Sequence, residues 1–104
     1  MQIMYCYIEP FIMNHNVFVG SDKGELQLLG KVKIEDMPEY FTTTYQNENI
    51  DKIILNGPAK DYIKEISNSV KEYAVTKYNL KDIKIEVIKW NIYLLVQILG
   101  EFIQ

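Results

Sequence analysis

Glu9 closes an unbroken apolar run, Tyr5-Cys6-Tyr7-Ile8, and Asn56 closes a short apolar segment, Ile50 to Leu55, interrupted by Asp51 and Lys52. Open α/β sheets place their ligand-facing groups at the carboxyl ends of buried strands, so these two positions are the first candidates for a site. A hard cation there would need several anionic oxygens, and a lone glutamate beside the neutral amide of Asn56 supplies few of them. Asp61 is the third candidate for the same ligand-binding edge; it also suits the helix macrodipole where it stands, in the first turn of a helical segment. Glu86 falls inside an alternating segment and is expected to face solvent, and Glu101 lies near the end of the chain.

The remaining reactive side chains are few. His15 is the single histidine, which excludes a histidine metal cluster, and its asparagine neighbours mark it as a turn residue. Cys6 is the single cysteine, so no intramolecular disulfide forms and no cysteine cluster binds metal. Ser21-Asp22-Lys23-Gly24 offers one glycine, far short of a phosphate cradle, and Asn56-Gly57-Pro58 has only a helix N-terminus to offer an anion. All 11 basic residues are lysine and the formal net charge is −3. Without arginine there is no planar fork for guanine or phosphate, and the acidic balance opposes counterion release. Nucleic acid is therefore expected to be a disfavoured partner. The cluster Lys23, Lys31 and Lys33 reads as a solvated strand face, and the 8 tyrosines as packing residues of strands.

These residues must be positioned by the elements that the hydropathy pattern predicts. Gln2 to Ile8 is apolar enough for a central strand covered on both faces, ended by Pro10. Asn14-His15-Asn16 predicts a turn, and Val17-Phe18-Val19 a second strand ending near Gly20. Leu26, Leu28, Val32 and Ile34 share one side of a period-two pattern and Gln27, Lys31, Lys33 and Glu35 the other, so a hairpin follows. Asp36-Met37-Pro38-Glu39 has the form of a capping box and opens a short helix to about Tyr45. After the strand Ile50 to Leu55, the segment opened by Gly57-Pro58 carries Ile63, Ile66, Val70 and Tyr73 or Ala74 on one helical stripe. Lys60, Lys64, Ser67 and Lys71 fall on the opposite one, and the helix stops near Asn79. Ile83, Ile85 and Val87 alternate with Lys84 and Glu86, as an edge strand does, and Asn91 can cap a final helix.

This order, β-β-β-α-β-α-β with a C-terminal helix, predicts an α/β domain with a mixed five-stranded sheet: a hairpin half and a parallel half joined by right-handed crossovers. Over roughly residues 1 to 89 it resembles the ribonuclease H-like superfamily, which includes Holliday-junction resolvases and the half-domains of actin-like ATPases. Tyr7-Ile8-Glu9-Pro10, a polar turn and Val17-Phe18-Val19-Gly20 are similar to that family's acidic strand end, loop and second strand. Its metal-dependent nucleases carry an aspartate where Glu9 stands and usually a second acid where Asn56 stands, so both positions depart from the pattern.

The chain of 104 residues is expected to form one domain spanning 1 to 104. It shows no positively charged leader before an apolar stretch, which makes the cytoplasm the expected compartment. Residues 92 to 103 are almost wholly apolar, too short for a bilayer span of about twenty residues. Their dry outer face predicts a homodimer, or docking to another protein, through Leu95, Val96, Leu99 and Phe102. No cofactor is implied. The expected function is a small non-catalytic interaction or assembly module on a ribonuclease H-like scaffold. The alternatives are a divergent metal-dependent nuclease completed by Asp61, Glu101 or a second chain, and a module that binds a small anion or nucleotide between Glu9 and Asn56.

Overall fold

The computed structural model describes residues 1–21 and 26–88. Strands Gln2–Tyr7 (β1), Asn14–Ser21 (β2) and Leu26–Lys33 (β3) come first. A single 3-10 turn, Ile34–Asp36, leads into helix Met37–Asn47 (α1); strand Lys52–Asn56 (β4), helix Lys60–Tyr78 (α2) and strand Ile85–Val87 (β5) follow. The strands form one five-stranded sheet in the order β3-β2-β1-β4-β5. β1 is central: it pairs antiparallel with β2 and parallel with β4, which in turn pairs parallel with β5. This is the mixed sheet the element order predicts. The expected terminal helix and its candidate contacts Leu95, Val96, Leu99 and Phe102 lie outside the described residues.

Alternation along β1 divides the sheet into two faces. Met4, Cys6 and Ile8 point to one face, where they join Val17, Val32, Ile53 and Leu55 under Met37 and Phe41 of α1 and Ile63, Ile66, Val70 and Ala74 of α2. Both described helices thus pack on the same face. Phe18 and Leu26 are buried on the other, against Tyr5. Neither α1 nor α2 covers that second face. Burial pushes the Cys6 thiol up to about 12, so it stays a protonated apolar residue of the core.

Four local expectations are corrected. The turn drawn at Asn14-His15-Asn16 is strand: His15 pairs with Val32 and is buried, and the connection is the apolar stretch Pro10 to Met13. Asp36 makes no side-chain cap, because the 3-10 turn before α1 already gives it a helical backbone. Ser67 is buried rather than exposed, one of the residues on the inner side of α2. In β3 the register shifts from Val17 opposite Gly30 to Phe18 opposite Leu28, so Leu29 is a one-residue bulge. Parity reverses there. Leu26 therefore points to the Phe18 face and Val32 to the helix-covered face, while Leu28, expected inside, is exposed.

The stripe on α2 resolves in favour of Ala74, and Asn79 ends the helix in the left-handed conformation, φ 53, which asparagine tolerates. Truncating a buried side chain of this stripe leaves a cavity. Ile66→Ala is expected to cost about 2–5 kcal/mol in chemical denaturation, and a loss under about 0.5 kcal/mol would place that face of α2 in water.

Candidate functional site

Tyr7 is in register with Asn56, so the carboxyl ends of the adjacent parallel strands β1 and β4 stand side by side. The pairing continues one residue beyond β1: the Ile8 N–H donates to the Asn56 carbonyl at 2.7 Å. Glu9 is therefore the first side chain past the ladder, beside the end of β4 and the start of the connection to α2. β2 begins at this same end, with Asn14 opposite Lys33 at the end of β3. The structure thus brings the Glu9 and Asn56 positions to one edge, as the spacing predicts.

The backbone of Glu9 is held by a residue that sequence patterning assigned to a plain turn. His15 is 4% exposed, and its Nε2 lies 3.2 Å from the Glu9 nitrogen and 3.1 Å from the Glu9 carbonyl oxygen. One nitrogen cannot accept from the first and donate to the second at once. Nδ1 is buried with no partner among the described residues, and a bare acceptor there is less costly than an orphaned N–H. That favours the tautomer in which Nε2–H donates to the Glu9 carbonyl. The signal that would have located His15 is its parity with Val17 across a strand, obscured by the flanking asparagines.

Asn56 is 2% exposed. Its Oδ1 accepts the Gly57 N–H at 2.9 Å, while Nδ2 is buried without a partner among the described residues. Swapping the two atoms would set an amino group against an N–H, so this orientation is fixed by the hydrogen bond. The amide oxygen is committed to the backbone and is not a free metal ligand. Gly57 is needed for a steric reason: a Cβ there would lie 2.1 Å from the Ile8 carbonyl oxygen and 2.7 Å from the Ile63 side chain. Asp61 is exposed in the first turn of α2, where no contact ties it to Glu9. Glu86 is partnered elsewhere, its carboxylate 2.9 Å from the Lys52 ammonium at 51% and 33% exposure respectively, a solvated pair of little energetic weight.

A two-metal centre is the group that the ribonuclease H-like resemblance implies, and the donors do not fit it. Among the described residues no three of His, Cys, Asp and Glu come together as a metal-binding group. Among the described residues Glu9 has no second carboxylate grouped with it at the edge, and Asn56 is neutral and engaged. Two hollows, one lined by Gln2, Val19, Gly20, Ser21 and Gln27 and the other by Met1, Tyr45, Ile50, Asp51, Lys52 and Lys84, lie at the opposite end of the sheet. Among the described residues no helix is long and apolar enough to cross a membrane.

The strand order, with an antiparallel hairpin half and a parallel half around β1, defines a ribonuclease H-like α/β fold. The solved structure of T. thermophilus RuvC in complex with a Holliday junction substrate is similar to this chain with a TM-score of 0.52 at 8% sequence identity, over 86% of this chain and 64% of that one. The chain therefore spans less than two thirds of that protein. No protein-family model and no curated protein matches the sequence. Nucleic acid as a disfavoured partner is corrected by this likeness: the same fold is seen on a DNA junction in RuvC. Net charge is a sum over the whole chain and does not describe the potential at one edge of a sheet, where lysines can meet phosphates without arginine.

Gly57→Ala is expected to cost about 3 kcal/mol or more in denaturant titration, because β1 and the start of α2 must separate to admit the methyl group. Asn56→Asp tests the edge electrostatically. A carboxyl group at so buried a position titrates above its ordinary ~3.9, so the folded state binds its proton more tightly than the unfolded state does. Stability of the variant should match wild type below about pH 4 and fall as pH rises beyond it. Magnesium should restore the melting temperature at neutral pH once Glu9 and the new acid share a cation; a melting curve indifferent to pH would show that the position is hydrated.

Proposed function

We propose that this chain is a nucleic-acid-acting domain of the nuclease type, a divergent member of the ribonuclease H-like group in which Glu9 faces the sugar-phosphate backbone at the carboxyl edge of β1 and β4. The observation that carries it is the register of that edge: Tyr7 beside Asn56, with Glu9 next and its backbone held by buried His15. The likeness to a junction-bound resolvase supports this reading over the non-catalytic assembly module expected from composition. Backbone chemistry at this end of the sheet also fits, since exposed Lys33, opposite Asn14 at the end of β3, and Lys31, two residues before it, can neutralise phosphates across the width of β2.

Among the described residues the donors do not fit two metals. Hydrolysis would draw its further carboxylates from beyond residue 88, where Glu101 lies in the sequence, or from a second chain.

Mobility-shift and cleavage assays on a four-way junction, a flap and a paired duplex test the proposal, with EDTA and with magnesium or manganese. The chain should bind the branched forms with affinity that falls as salt rises, and Glu9→Gln should bind more tightly in EDTA because one like charge leaves the phosphate surface. Any metal-dependent cleavage should vanish in the same variant. No binding to any of these nucleic acids would sink the proposal.

A further inference from the structure

The connection between β1 and β2 is where the described chain exposes its apolar side chains most fully. Phe11 is 105% exposed, Met13 71% and Ile12 44%. A surface connection of this length ordinarily carries glycine, asparagine, aspartate or serine, which makes three successive large apolar residues in water a feature to be explained. Phe11 also holds φ 72, a left-handed backbone that an aromatic residue seldom adopts. The tip is nevertheless carried on a firm base. On one side Ile8 is bonded to Asn56 and Glu9 to His15, and on the other Asn14 is paired with Lys33.

We infer that Phe11, Ile12 and Met13 form a wedge that stacks on an unpaired nucleobase at the Glu9 edge, with Lys31 and Lys33 taking the neighbouring phosphates. This rests on the nucleic-acid reading above and adds which feature of the nucleic acid is selected. Three side chains offer far too little surface for a stable protein interface, which buries roughly 1,200 Å² or more. They are enough for one base, whose apolar face is covered by a single aromatic ring and whose flanking charge is met by lysine. The wedge also adjoins the Glu9 edge directly, two residues along the chain.

Fluorescence anisotropy in EDTA, comparing a duplex that contains a short unpaired bubble with the fully paired duplex of the same sequence, tests the wedge. Wild type should prefer the bubble by about tenfold, the range of one base stacked on an aromatic side chain. Phe11→Ala should lose that preference while keeping its affinity for paired duplex, and Phe11→Trp should retain it. The melting temperature of Phe11→Ala should not fall, since the ring makes no buried contact, so a lost preference cannot be attributed to unfolding. A preference that survives Phe11→Ala, or a wild type with equal affinity for both duplexes, overturns the wedge and leaves the nucleic-acid reading standing. Binding to neither overturns both. Equal binding by wild type and variant, together with self-association that only the variant loses in light scattering, would assign the tip to a protein contact and likewise overturn it.

Discussion

The contact between the Gly57 backbone and the Ile8 carbonyl sets the geometry on which the rest of the edge depends. With no Cβ at residue 57, β4 can leave the sheet, turn and start α2 against the end of β1. That closeness lets Ile8 extend the parallel ladder by donating to Asn56, and it lets Ile63 pack at the head of the core. It also commits the Asn56 side chain, whose oxygen serves the Gly57 N–H rather than a ligand. A carboxylate in that place would have to be neutralised by something other than the backbone. The amide is consistent with an edge built for packing first.

Around that contact the molecule separates packing from recognition. Everything from Met4 to Ile8 on the helix-covered face is buried among Phe41, Ile63 and Val70, and burial holds Cys6 in its neutral form. One residue later the chain emerges as Glu9, then as Phe11 to Met13 in water. The change from fully buried to fully exposed takes place within a few residues because His15, itself buried, grips the Glu9 backbone from β2. A polar side chain buried with one nitrogen unpartnered is a cost, and it purchases a fixed loop base beside the end of β4.

Where patterning misled, a tertiary contact of known kind intervened. Strict alternation put Leu26, Leu28 and Val32 on one side of β3; a single bulged residue, Leu29, reversed the parity and sent Leu26 and Val32 to opposite faces. Polar neighbours made His15 look like a turn residue, although the β2 ladder runs through it. Charge arithmetic disfavoured nucleic acid because it averages 104 residues, and an interface samples only the few at one edge.

By itself, the sequence determined the elements whose periodicity is long and uninterrupted: β1 as the apolar centre, α2 by its Ile63, Ile66, Val70 stripe, and β5 by its alternation at the sheet margin. These follow from which side chains must leave water, and a linear pattern records that directly. It also singled out Glu9 and Asn56 as strand ends. Only the tertiary structure decided that the two ends are neighbours in register, that the Asn56 oxygen is already taken, and that His15 lies beneath Glu9. Those outcomes depend on approaches of about 3 Å between residues far apart in the chain, set by a bulge and by a missing Cβ that no local pattern encodes.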